Sequence, residues 1–150
     1  MSRALRSEFH DADHSPGLLL WQVTNTWQAA QRAALRPFDL THVQFVLLAT
    51  LAWHQDDQPL TQRHLAQNAR ADPMMTSQVL RSLEAKGLVE RQPHPTDARA
   101  RALTATSAGL DLANAANQAV EGVDRDHFAA LGKDLPAFAD MLARLAPSRT

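Results

Sequence analysis

Polar side chains suited to hydrogen bonding with nucleobases cluster in the middle of the chain. Thr76, Ser77, Gln78 and Arg81 fall within six consecutive positions, beside Ser82. A glutamine amide can pair bidentately with adenine, an arginine fork with guanine or a phosphate, and hydroxyls with either. Upstream Arg63 and downstream Arg99 and Arg101 add cations of the kind that phosphates attract. Asp97 stands two residues before Arg99 in a polar stretch. None of this is catalytic chemistry. No nucleophile with a base and an orienting group, no phosphate loop and no spaced carboxylate pair is present, so an enzyme is not expected.

These residues need elements to hold them, and the segment from Leu60 to Gly109 supplies the punctuation. Thr61 can cap a short helix over Gln62–Gln67. Asp72-Pro73 opens a second helix, with a carboxylate for the free N–H groups and a proline preset for the first helical position. Met75, Val79 and Leu83, with Met74 and Leu80, read as its apolar stripe, and Gly87 as its left-handed stop. On that assignment Thr76, Ser77, Gln78, Arg81 and Ser82 face outward. The spacing then predicts strands over 88–91 and 99–103, with Arg99 and Arg101 on one strand face and an exposed loop over 92–97. Leu60 can add a one-residue ladder. A helix, a turn, a second helix and a basic hairpin are the parts of a winged helix-turn-helix.

The segment LRSLEAKGLVERQPHPTDARARAL resembles the signature of the MarR family of bacterial transcription regulators. Leu83-Glu84, Gly87-Leu88-Val89, Arg91, Asp97, Arg99, Thr106 and Gly109 fall in its register. The resemblance implies a two-fold dimer whose terminal helices interleave, a palindromic double-stranded DNA operator, and a repressor relieved by a small aromatic effector. It also implies that Arg99 enters the minor groove while Asp97 helps hold the wing. A narrow A·T minor groove concentrates negative potential and attracts a guanidinium. Three positions depart from the family pattern. Gln78 stands where arginine is common, Ala98 where a second arginine is frequent, and Ala105 where leucine is frequent. The first makes a borrowed operator sequence unsafe, the second suggests a weaker wing contact, and the third a less firmly packed junction.

Composition sets the bounds. The 150 residues fit one domain of ordinary globular type, with 45% hydrophobic and 21% charged residues. No run approaches the roughly 18 apolar residues of a membrane span. The start of the chain lacks an apolar signal core, so a cytoplasmic protein is expected. The absence of cysteine excludes disulfides, thiolate zinc sites and thiol redox sensing. Net charge is −1, yet it is unevenly placed. From Thr61 to Arg101 seven bases face four acids, a net of +3, while the rest has eight bases and twelve acids, a net of −4. Positive charge gathers where phosphates would be met. Chance clustering on a solvated face is the other reading.

Outside the winged unit, taken as 38–104, the sequence predicts helices over 15–36 and 106–146, broken near Gly132-Lys133-Asp134. Thr41 and Gln44 make a capping box for a helix ending near Trp53. The expected fold is mainly α with a small β-wing in one domain. The terminal helices are amphipathic and either fold back or pair with a second copy. Trp21, Trp27, His42, Phe45 and Trp53 fall on the first two helices. Beside the resembled effector site they line a pocket, or else they are simply core. His10-Asp11-Ala12-Asp13-His14 has a spacing that suits a metal if helical, but an arm over 1–14 is not expected to hold one, and no cofactor is expected. A winged helix used only for protein contacts is the competing function; arginine on the wing and polar residues on the second helix argue against it.

Overall fold

The computed structural model describes residues 5–54, 56 and 59–146. Its elements are α1 (Pro16–Leu35), α2 (His42–Trp53), α3 (Gln62–Ala69), α4 (Pro73–Ala85), β1 (Val89–Pro93), β2 (Arg101–Ala105), α5 (Ser107–Phe128) and α6 (Leu135–Leu145). Short 3-10 turns occupy Ala12–His14, Arg36–Phe38 and Ala129–Asp134. The starts of α1 to α5 are capped as their sequences imply. The side chains of Ser15, Thr41, Thr61, Asp72 and Thr106 accept backbone N–H groups at the starts of α1 to α5, and Thr41 with Gln44 completes the capping box. The chain is thus mainly α with one two-stranded antiparallel wing.

One apolar core holds the winged unit together. Leu47 and Leu48 of α2, Leu65 of α3 and Leu80 and Leu83 of α4 are fully buried, and Val89 and Leu103 bring the wing onto them. Ala113, Ala116 and Val120 of α5 close the same core, and Leu35 at the end of α1 joins it. The expected ladder forms: the Leu60 carbonyl accepts from the Leu103 N–H at 2.8 Å, which adds a third rung beside the hairpin.

The strands sit later in the chain than the apolar pattern predicts, for two reasons. Gly87, at φ +73°, turns α4 into a left-handed stop. The Leu88 N–H then returns to the Leu83 carbonyl at 3.0 Å and the Gly87 N–H to Glu84 at 3.0 Å, so Leu88 belongs to the cap and β1 starts at Val89. At the other end the Ala100 N–H reaches back to the Asp97 carbonyl at 3.1 Å, so Arg99 lies in the turn and β2 starts at Arg101. Arg99 and Arg101 therefore do not share a strand face.

The junction from wing to α5 is tightly closed. Thr106 donates its hydroxyl to the Gly87 carbonyl at 2.7 Å and its N–H to the Leu88 carbonyl at 3.0 Å, while accepting the Gly109 N–H at 3.0 Å. A β-carbon on Gly109 would run into the Leu88 carbonyl. Glycine inside a helix ordinarily costs stability relative to alanine. Here close backbone approach reverses that preference. Gly109→Ala is expected to destabilise by about 1–3 kcal/mol, the range of overpacked sites. Urea unfolding checks it, with a lowered midpoint at unchanged slope.

Candidate nucleic-acid interface

Burial fixes which side of α4 is outward, and it differs from the expected stripe. Thr76, Leu80 and Leu83 are fully buried, while Met74 is 74% and Met75 39% exposed. Thr76 is thus removed from the expected base-reading set. It sits one turn before Leu80 on the core face, and its hydroxyl is satisfied by the Asp72 carbonyl at 2.8 Å. Ser82 also turns inward, accepting from Gln44 Nε2 at 2.7 Å and donating to the Val79 carbonyl at 2.9 Å. Gln78 and Arg81 remain exposed, with Ser77 half-buried beside Arg81. Arg81 makes only long contacts to Ser77, 3.4 Å to its carbonyl and 3.5 Å to its hydroxyl.

The structure sorts the bases that sequence could only count. Arg91 is committed to the fold: Nε meets Glu84 Oε1 at 2.6 Å and Nη2 meets Gln62 Oε1 at 3.0 Å, which ties β1 to α4 and α3. Lys86 is turned toward Asp39 at 3.5 Å and Gln44 at 3.4 Å. By contrast Arg63 on α3, Arg99 in the wing turn and Arg101 on β2 are exposed and have no side-chain partner among the described residues. Asp97 does not pair with the Arg99 guanidinium. Its Oδ1 accepts the Arg99 N–H at 3.0 Å, and His94 Nδ1 accepts the N–H groups of Thr96 and Asp97 at 3.2 and 3.1 Å. The wing tip is shaped by backbone hydrogen bonds, and the guanidinium is left free.

The aromatic residues of the first two helices do not converge on one pocket. Phe45 is core, at 5% exposure, and Trp21 is largely exposed on α1. Trp53 lines a separate cleft of about 330 Å³ between α2 and α5, with Asn114, Asn117 and Glu121. Only Trp27 and His42 meet, edge to face at 5.2 Å. Around them sequence reasoning missed a polar cluster. Trp27 Nε1 and Gln31 Nε2 both donate to Asp124 Oδ1, at 2.7 and 2.9 Å, and Gln31 also reaches the Val120 carbonyl at 3.3 Å. Gln31 is fully buried, and its Oε1 has no partner among the described residues. Nothing local signals this. The partners lie on α1 and α5, far apart in sequence, and the one hint was an indole N–H in need of an acceptor.

In the arm, His10, Asp11 and His14 do come together, their ligand atoms within 4.8 Å of one another. Both imidazoles face the single Asp11 carboxylate, which these hydrogen bonds hold below its usual pKa. All three residues are exposed and come from one turn of chain, so the cluster reads as a satisfied surface hydrogen-bond group.

Comparison with known proteins agrees with this geometry. The MarR family model matches residues 40–100. The uncharacterized HTH-type transcriptional regulator YdcH of Bacillus subtilis (strain 168) is 43% identical over 128 residues, spanning 85% of this chain and 87% of that protein. The chain belongs to the MarR family. The HTH-type transcriptional repressor Rv2887 of Mycobacterium tuberculosis is 34% identical over 114 residues, 75% of this chain and 80% of its own. The Rv2887 structure in complex with salicylic acid superposes with a TM-score of 0.70 at 33% identity, over 91% of this chain and 100% of that one. CouR of Rhodococcus jostii RHA1, bound to p-coumaroyl-CoA, superposes with a TM-score of 0.83 at 26% identity, over 95% and 99%. Among the described residues no helix is long and apolar enough to cross a membrane.

In this MarR-family chain, His42 makes the joint between the winged unit and α1 sensitive to pH. Burial first, and the Arg32 guanidinium second, hold its pKa below the ordinary 6.5, with Asp124 opposing. The unfolded chain therefore takes up the proton more readily than the folded one. Stability from this site is full above about pH 6.5 and falls as pH drops through that value toward the folded pKa. His42→Gln is expected to lose less stability than wild type between about pH 7.5 and about pH 5.5. Thermal melts of both across that range check the difference.

Proposed function

We propose that this transcriptional regulator acts as a homodimer on a palindromic operator, placing α4 of each subunit in the major groove and each wing beside it. What carries the reading is a set of exposed side chains on α3, α4 and the wing. Gln78 and Arg81 stand exposed on α4, while the guanidinium groups of Arg63, Arg99 and Arg101 have no side-chain partner among the described residues. A base-reading helix flanked by free cations is what a duplex requires. The division of labour is a winged helix-turn-helix over 38–104 and dimerisation helices over 15–36 and 106–146. Leu18, Leu19, Leu20, Trp21 and Val23 on α1, and Met141, Leu142 and Leu145 on α6, are exposed apolar residues whose burial needs a second subunit. Such a protein works in the cytoplasm without catalysis.

Regulation by a small aromatic ligand supports a repressor that is relieved on binding. The salicylic acid of the Rv2887 complex and the p-coumaroyl group of the CouR complex share aromatic character. Of the aromatic residues in this chain, Trp27 and His42 are the pair that meets at the joint of α1, α2 and α5, with the Arg32 charge near. The effector contacts are accordingly narrowed to that pair.

Selection from a random duplex pool tests the function directly. An inverted repeat should be enriched, and recovery of no preferred sequence would reject operator binding. Gln78→Ala should relax preference at one position per half-site by about 1–3 kcal/mol while leaving non-specific affinity nearly unchanged. An unaltered selected motif would remove Gln78 from the readout. Arg99→Ala should weaken binding without disturbing fold or dimer. Its salt dependence should flatten by about 0.9 in slope per lost phosphate-like contact, or about 2 for the dimer. Titrations at several salt concentrations check this, and an unchanged slope means that the wing tip does not touch DNA.

A further inference from the structure

The apolar stripe of α4 leaves behind one residue that neither the core nor the polar surface explains. Met74 is 74% exposed in the first turn of the helix, fixed there by the Asp72 cap on the Met75 N–H at 2.8 Å. Counting along the helix, Met74, Gln78 and Arg81 follow at the i, i+4, i+7 spacing of a single face. Two of those side chains are polar and suited to base edges. The first is a thioether with no hydrogen to donate and only a weak acceptor.

We propose that Met74 is a specificity residue, packing on the C5-methyl group of a thymine in the major groove. The inference rests on the reading that α4 enters that groove. The thymine methyl is the apolar feature a base pair presents there, and side chains recognise it by apolar contact. Methionine suits the task because its unbranched, flexible chain adapts to irregular apolar surfaces. The position follows from helix geometry. Four residues rise about 6 Å, less than two base-pair steps of about 3.4 Å each. The thymine therefore lies within about two steps of the base pair that Gln78 reads. The exposed Met74 contributes nothing to the folded core, so its replacement leaves the winged unit intact.

The test replaces thymines with deoxyuridine, one symmetric pair at a time, in the operator selected by the wild-type protein. This removes the methyl group and leaves every hydrogen-bonding edge unchanged. Wild type is expected to lose about fourfold per half-site at one position, the value of one buried methyl-sized group, or about 15-fold for both half-sites. Met74→Ala should bind the thymine operator as weakly as wild type binds the uracil one, and should not distinguish the two. Met74→Leu should retain the discrimination. A wild type indifferent to every substitution overturns the assignment, as does a Met74→Ala protein that still distinguishes thymine from uracil. Gln78→Ala, run in parallel, separates the two levels of the argument. If it alters the preferred sequence while Met74→Ala does not, only Met74 is misassigned. If neither variant changes the preference, and Arg81→Ala leaves it unchanged as well, α4 is not the reading helix.

Discussion

The burial of Leu80 and Leu83 in one core with Leu47, Leu48 and Leu65, and of Thr76 on the same side of α4, is the constraint from which the interface follows. A helix has one rotational setting about its axis, so choosing which residues are buried also chooses which are offered outward. With Thr76 in the core, Met74, Gln78 and Arg81 must face away from it. Threonine tolerates that position because the Asp72 carbonyl satisfies its hydroxyl at 2.8 Å, leaving a methyl to pack. The same Asp72 uses its side chain to cap the helix. One residue thereby sets both where α4 begins and how its first turn is oriented.

The second requirement is that the wing be held at a fixed distance from α4, and polar ties meet it. The left-handed Gly87 ends the helix, and the Thr106 hydroxyl clamps the Gly87 carbonyl. Arg91 joins Glu84 to Gln62 across three elements. These ties consume part of the positive charge that clusters between Thr61 and Arg101. Among the described residues, the guanidinium groups of Arg63, Arg99 and Arg101 have no side-chain partner, and Arg81 has only long contacts to Ser77. Net charge is a poor guide to such a surface; what matters is which cations are already neutralised inside the chain.

A third element, the joint of α1, α2 and α5, differs in character from both. Gln31, Trp27 and Asp124 form a hydrogen-bonded group beside His42. Buried polar groups of this kind are sensitive to small displacements, because a lost partner costs more than the bond was worth. The joint connects the winged unit to α1, on which Leu18, Leu20 and Trp21 are exposed.

Much of this was legible in the sequence because it is local. Caps at Ser15, Thr41, Thr61, Asp72 and Thr106 and the stop at Gly87 depend on residues close in the chain. Helix boundaries and the mainly α fold with a β-wing follow from them. The MarR signature added the function; the structure shows of Gln78, Arg81 and Arg99 that they are exposed. What sequence could not determine depended on contacts between distant segments. Methionine and threonine are both compatible with either face of a helix, so only packing against α2 and α3 decided that Thr76 is core and Met74 and Met75 are exposed. The strand starts moved because Leu88 was claimed by a helix cap and Arg99 by a turn. The aromatic set divided because Trp21, Trp27, Phe45 and Trp53 lie on helices whose neighbours, above all α5, are remote in sequence. Local hydrogen bonding wrote the elements; the close-packed core decided which side of each one the rest of the world would meet.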